Sequence, residues 1–314
     1  MSGTIKKDLI IIGGGAAGLT AALYAGRDKL DVVLIEKMIA GGQAATTDEI
    51  ENYPGFPNGV KGPDLMQSFQ KQAENFGTEI IYDEITSINF SEKEKTIKTY
   101  GAEYSAPAVI IATGADYKKL GVPGEEEYIG KGISFCATCD GAFFKDKEIV
   151  VIGGGDTALD EALYLTNFAS KITIIHRRSM FRATSIIQER VKNNAKIQTK
   201  MNSAVVEITG DTFVKSVKIK NLKTNEVEDF STSGVFIFVG LVPNTSLFKE
   251  TIELDNNGYI VTDADMRTSL PGVFAAGDCR AKSLRQVITA AGDGAVAAYS
   301  ARNYINEVKG VVYK

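Results

Sequence analysis

Long apolar runs are missing from this chain of 314 residues. The longest, such as Leu9-Ile10-Ile11-Ile12, stop at glycines well short of the roughly 20 residues that a membrane-spanning helix needs. The N-terminus also lacks the apolar stretch and small-residue cleavage site of a secretory signal, so a cytoplasmic location is expected. No charge of one sign dominates. Acidic and basic residues are interspersed around a net charge of −4, which excludes the basic field that would draw nucleic acid or an anionic membrane. Cysteine and histidine are scarce, at three and one. A four-ligand zinc site around Cys136 and Cys139 would have to recruit both Cys279 and His176, and each has another place in the pattern below, so no metal is expected. In a reducing compartment a persistent structural disulfide is disfavoured too, and a bridge over two intervening residues would restrain little of the unfolded chain. Redox chemistry is what remains for Cys136-Ala137-Thr138-Cys139.

With 44% hydrophobic and 24% charged residues the rest is ordinary for a globular protein, and long enough for two domains. An internal repeat organises it. Residues 8–37, DLIIIGGGAAGLTAALYAGRDKLDVVLIEK, align without a gap on residues 148–177, EIVVIGGGDTALDEALYLTNFASKITIIHR. Each copy opens with an apolar run of the kind buried on both faces, then gives three glycines, a helical period and a second apolar strand. This is a βαβ unit with a dinucleotide fingerprint. Gly13, Gly15 and Gly18 carry it in the first copy; Gly153, Gly155 and Ala158 carry it in the second, with Gly154, Asp156 and Thr157 in the same turn. The first glycine permits the tight turn, the second lets backbone approach a pyrophosphate, and the third position keeps helix and strand close. Ala16 stands where many such fingerprints have proline. The pyrophosphate then rests on the helix N-terminus.

The residue ending the second strand meets the adenosine ribose. In the first copy it is Glu36, whose carboxylate suits ribose hydroxyls and repels a 2′-phosphate. In the second it is His176, followed by Arg177, Arg178 and Arg182, whose planar guanidinium donors suit a 2′-phosphate; the plainer alternative is a solvated basic turn. NADPH is therefore expected in the second copy. A third segment, Thr268 to Asp278, is a short apolar strand ending in Gly277-Asp278. It resembles the pattern that carries an aspartate to the flavin ribityl chain in two-dinucleotide flavoproteins, which assigns FAD to the first copy; otherwise Asp278 would cap the following helix.

Val109 to Gly114 and Val235 to Gly240 read as strands that close the two units, each followed by a polar or proline-containing stretch. Because Asp278 must return to the first nucleotide, the expected fold is α/β, with two three-layer Rossmann-like domains and the second inserted into the first. The FAD-binding domain would comprise 1–117 and 246–314, and the NADPH-binding domain 118–245. The cysteine pair then shares a domain with the nicotinamide, and both must reach one flavin. Rotation of the inserted domain about its two linkers is expected.

Two fingerprints, Cys-Ala-Thr-Cys-Asp between them, His-Arg-Arg-x-x-x-Arg and the terminal Gly-Asp together make the chain resemble the low-molecular-weight, bacterial-type thioredoxin reductases. Gly41-Gly42-Gln43, Glu51-Asn52-Tyr53-Pro54-Gly55 and Arg285-Gln286-Val287 match flavin-contacting segments of that family. The resemblance implies a homodimer that passes electrons from NADPH through tightly held FAD to the Cys136/Cys139 disulfide and on to thioredoxin. It implies Cys139 nearer the flavin, Cys136 as exchange thiol and Asp140 as acid, where Asp140 could otherwise be a turn former. Phe143 and Phe144 would form part of an apolar dock for thioredoxin, or else be ordinary core aromatics. Cys279 reads as inert packing. Peroxiredoxin-reducing relatives carry an extra N-terminal region, and this chain opens directly on its first strand. The retained arginines argue against a ferredoxin or flavodoxin donor.

Overall fold

The computed structural model describes residues 3–47, 49–91 and 94–311. Contacts divide the chain into one unit of Met1–Asp116 with Val242–Lys314 and a second of Tyr117–Leu241. The second is inserted between the two segments of the first.

In the first unit five parallel strands are ordered Val273–Ala275, Ala108–Ile111, Leu9–Ile12, Val32–Glu36 and Glu79–Tyr82. The period of two along the central strand decides what packs on each face. Leu9 and Ile11 meet helix Ala16–Arg27 and the C-terminal helix Val287–Val308. Ile10 and Ile12 turn to Ile97 and Tyr104 of a four-stranded sheet on the opposite face. All four are fully or almost fully buried, and each contributes about 1.5–3 kcal/mol of apolar transfer free energy. The two helices approach so closely that a Cβ on Gly294 would stand 2.1 Å from the Ala17 carbonyl oxygen.

The second unit repeats this plan. Its parallel order is Ile133–Ser134, Val235–Phe238, Glu148–Gly153, Lys171–His176 and Ile197–Met201. Ile149 and Val151 pack with Leu159 and Ala162 of helix Asp156–Leu165, while Val150 and Ile152 pack with Val205, Val217 and Ile219 of a three-stranded antiparallel meander. The glycine-bearing strand is central in both units, and the strand that closes each unit lies beside it. The outermost strand differs in origin: in the first unit it comes from the C-terminal segment, in the second from residues preceding the repeat.

The expected second crossing at 245/246 falls earlier in the contact division. Leu241–Pro243 pairs with Ala115–Tyr117 as a two-stranded ribbon, and Asn244 already belongs to the first unit, where its amide donates to the Gly114 carbonyl and its carbonyl accepts from Thr113 Oγ1. Among the described residues no helix is long and apolar enough to cross a membrane, and no group of three or more His, Cys, Asp or Glu residues could hold a metal ion.

Candidate functional site

The first glycine turn is built by contacts that exclude side chains. Gly13 has φ +100°, and a Cβ there would lie 2.4 Å from the Ala112 carbonyl oxygen. One on Gly18 would lie 1.9 Å from the Gly13 oxygen. Gly15 differs, since its Cβ position meets nothing within 4 Å. It precedes Ala16 at the start of a helix with no side-chain cap, so amide donors face open space where an anion can sit. Glu36 supports the turn from the neighbouring strand, accepting from Gly14 N at 2.7 Å and Met38 N at 2.9 Å. Gly41 N donates to the Gly14 oxygen, Gly42 lies against Gly15, and Gln43 Nε2 donates to the Ala115 oxygen. Gly114, like Gly15, borders open space.

Asp278 is brought to this edge by the short strand Val273–Ala275 and a turn at Gly277, whose Cβ position lies 2.8 Å from the Ala17 side chain. Burial raises the Asp278 carboxyl above the ordinary carboxylate range, opposed by Lys282 and Arg285. Its Oδ1 is buried without a hydrogen bond among the described residues; Lys282 Nζ stands 3.4 Å away. The helix-cap alternative fails on geometry, because the following helix, Val287–Val308, is capped by a reciprocal box between Gln286 and Thr289. Gln286 also receives Asn52 Nδ2 at 3.1 Å, so its side chain is engaged within the protein. Arg285 stacks over the Tyr259 ring at 4.0 Å, and its Nε is buried with no partner among the described residues. An acceptor and a donor left unmatched beside an open glycine turn fit a polar ligand such as a flavin nucleotide, since buried polar groups are normally satisfied.

The second turn repeats the first with one exchange. A Cβ on Gly153 would lie 2.5 Å from the Ala158 methyl, and one on Gly154 would lie 2.3 Å from the His176 ring. Gly155 faces open space at the uncapped start of helix Asp156–Leu165. Asp156 Oδ1 accepts from Thr184 N at 2.7 Å, tying the turn to the segment after the arginines, and Thr157 is exposed. His176 is buried, its Nε2 3.1 Å from the Met180 oxygen, and burial pushes its pKa down. It contributes shape under the turn rather than charge. Arg177, Arg178 and Arg182 are exposed, and none forms an ion pair among the described residues. Three unpaired guanidiniums beside an anion-ready helix end are what a phosphate would use.

Cys136 and Cys139 form a disulfide that follows directly on the edge strand Ile133–Ser134. Ser134 Oγ accepts from Cys136 N at 3.0 Å and donates to the Cys136 oxygen, and Cys139 N donates to Cys136 Sγ at 3.2 Å. Cys139 is exposed and Cys136 half-buried. Asp140 is half-buried and forms no side-chain cap on the 3-10 turn Gly141–Phe144 that it precedes. Glu161, from the helix that begins at the second glycine turn, accepts from Ala137 N at 3.0 Å. Tyr117 stacks on Phe135 beside the pair, and burial, with Glu161 nearby, pushes its pKa up to about 12.

Phe143 and Phe144 part company. Phe143 is 73% exposed, whereas Phe144 is 7% exposed and meets Phe236 edge to face at 5.1 Å. The expectation of a dock from both is corrected for Phe144: a Cβ on Gly234 would come within 2.2 Å of its ring, so it fills the core. Cys279 is buried and free; burial pushes its thiol up to about 11, far from a reactive thiolate. No sequence motif marks Glu161, Ser134 or Lys282. Ser134 adjoins the cysteine motif, but the others reach their places through packing that no spacing reveals.

The family model for pyridine nucleotide-disulphide oxidoreductases matches residues 7–294. A thioredoxin reductase of Listeria innocua is 50% identical over 303 residues, covering 96% of this chain and 95% of its own. One of Peptoclostridium litorale is 49% identical over 307 residues, covering 96% and 98%. Among solved structures, the thioredoxin reductase of Lactococcus lactis in its FR conformation superposes with a TM-score of 0.94 at 46% identity, covering 96% of this chain and 99% of that one.

Proposed function

Given that the chain belongs to the pyridine nucleotide-disulphide oxidoreductases, and among them to the thioredoxin reductases, we propose that it uses NADPH as electron donor and FAD as carrier to the Cys136–Cys139 disulfide. Thioredoxin is the substrate partner. The observation that carries the reading is the placement, in one unit, of the disulfide and a second nucleotide turn flanked by unpaired arginines.

The residues divide the work. Gly13, Gly15, Ala16 and Gly18 present helix amides to the FAD pyrophosphate, and Glu36 accepts from its adenosine ribose. Asp278 would accept from a ribityl hydroxyl; Gly41, Gly42, Gln43, Asn52, Gly114, Gly277, Arg285, Gln286 and Val287 are the further residues that would hold FAD. Gly153, Gly154, Gly155, Asp156, Thr157 and Ala158 form the NADPH pyrophosphate turn. His176 shapes it, and Arg177, Arg178 and Arg182 take the 2′-phosphate. FAD, when bound, supplies a two-electron relay between nicotinamide and disulfide.

The remaining chemistry belongs to the cysteines. Two electrons break the Cys136–Cys139 bond and, with a proton exchanged through Asp140, leave a thiol and a thiolate. The Cys136 thiolate attacks one sulfur of oxidised thioredoxin and expels the other, forming a mixed disulfide. Cys139 then attacks Cys136, which reforms the internal disulfide and releases reduced thioredoxin. Because nicotinamide site and disulfide lie on one unit, the inserted domain turns about its two linkers between half-reactions; full turnover in a protein with the two domains cross-linked would refute this. The chain works as a homodimer in the cytoplasm, a state that sedimentation of the purified protein reads directly.

The test of the whole reading is anaerobic titration of the flavin band. NADPH should bleach it rapidly and NADH poorly, with uptake of more than one two-electron equivalent. A flavin left oxidised by NADPH but bleached by a chemical reductant would redirect the search to a protein donor.

A further inference from the structure

Behind Asp278 lies a group of charges that the nucleotide-binding role does not by itself require. Asp293, on the second turn of helix Val287–Val308, accepts on Oδ2 from Gly277 N at 3.1 Å and from Lys282 Nζ at 3.0 Å. Its Oδ1 accepts from Arg280 Nη1 at 3.2 Å, and Arg280 Nε donates to Thr262 Oγ1 at 2.8 Å. Lys282 Nζ donates in addition to Thr289 Oγ1 at 3.2 Å. The Lys282 side chain is 8% exposed and that of Asp293 12%. A lysine is buried this deeply only when paired.

We propose that Lys282 and Asp293 are positioning residues for the flavin-facing carboxylate: Asp293 holds the Gly277 turn, and Lys282 Nζ, 3.4 Å from Asp278 Oδ1, holds that carboxylate as an acceptor for a ribityl hydroxyl. The inference rests on the reading of Asp278 as an FAD contact. Asp293 anchors Lys282 and binds the amide immediately before Asp278, so one carboxylate fixes both the turn and the cation. Lys282 Nζ, at 3.4 Å, is too poorly aligned to hydrogen-bond Oδ1 in this arrangement, which leaves that lone pair for a ligand. The groups facing Asp278 have opposed effects. Lys282, from the loop, and Arg285, just before the helix, favour the carboxylate; Asp293, from the helix, and burial oppose it. Removing Lys282 removes the first-named of the two supports, so Asp278 takes up a proton at a higher pH and ceases to be a charged acceptor.

The experiment follows FAD release from diluted holoenzyme by free-flavin fluorescence between pH 5.5 and 8.5. Losing one charge-assisted hydrogen bond weakens retention about ten- to a hundredfold, so Asp278→Ala should release FAD faster by that factor at every pH. Lys282→Met should release FAD faster than the parent protein, by a factor that grows as pH falls. Lys282→Arg should restore retention across the range, and Asp293→Asn should release faster throughout. Should Lys282→Met not fold, Lys282→Gln, which keeps a polar group for Asp293, reads the same pH dependence. Release from the Lys282 variant that equals the parent at all pH, or a loss without pH dependence that Arg does not rescue, overturns the proposal. If Asp278→Ala itself retains FAD like the parent, the underlying FAD contact is what fails.

Discussion

Replacing Arg177 or Arg178 by alanine should separate NADPH from NADH at the proposed nicotinamide nucleotide site. Both side chains are exposed and neither is engaged in an ion pair among the described residues, so truncation strands no buried partner. Folding stability should change by no more than about 0.5 kcal/mol, the usual range for such surface sites. Binding is another matter. A 2′-phosphate carries close to two negative charges at neutral pH, and a guanidinium donates to it through a planar fork. Each lost charge-assisted bond costs about 1.5–3 kcal/mol, or roughly ten- to a hundredfold in affinity. The site is open to solvent, so the lower part of that range applies, and it shrinks as salt is added. The assay is the initial rate of anaerobic flavin bleaching against NADPH and NADH concentration, at two ionic strengths. KM for NADPH should rise at least tenfold while that for NADH stays within about twofold, since NADH lacks the phosphate. Equal losses for both cofactors would refute the assignment, and the arginines would then be a solvated basic turn.

Other expectations test different residues. Cys139→Ser should leave bleaching of the flavin by NADPH intact and abolish thioredoxin reduction, read by insulin turbidity; surviving turnover would break the proposed cycle. Phe144→Ala should cost about 3–5 kcal/mol of stability as a buried aromatic truncation, seen in thermal melting. Phe143→Ala should leave melting unchanged and raise KM for thioredoxin, and the reverse pattern would exchange their roles. His176 is held neutral by burial, below its ordinary value of 6.5. Above 6.5 folded and unfolded chains are alike in this group; as pH falls below it, only the unfolded chain takes the proton and stability is lost down to the folded pKa. The loss of melting temperature between pH 7.5 and 5.5 should therefore be smaller in His176→Asn, and an unchanged loss would show that His176 titrates freely.

Much of this molecule could be read without coordinates, because the signals were local. A glycine turn, its helix and the two flanking strands are neighbours in sequence, so period two, period 3.6 and the glycines specify a βαβ unit from within about thirty residues. Gly18 illustrates it: helix and turn approach so closely that the chain admits no Cβ, and the need is visible in the residue. Phe143 and Phe144 show the limit, since adjacent identical side chains differ only in which one meets Phe236.

Tertiary structure alone decided what lies beyond each unit's edge. Val273–Ala275 and Ile133–Ser134 hold the same outer place in the two parallel sheets, one arriving after the repeat and the other before it. The first delivers Asp278 and the second Cys136, so the proposed flavin-facing carboxylate and the disulfide occupy corresponding positions. A two- or three-residue strand carries too few side chains for its pattern to announce its partner. Glu161 on Ala137 and Asp293 on Gly277 are likewise set by how a helix packs against a sheet edge. The chain determines these contacts through its whole core, and no short stretch of it displays them.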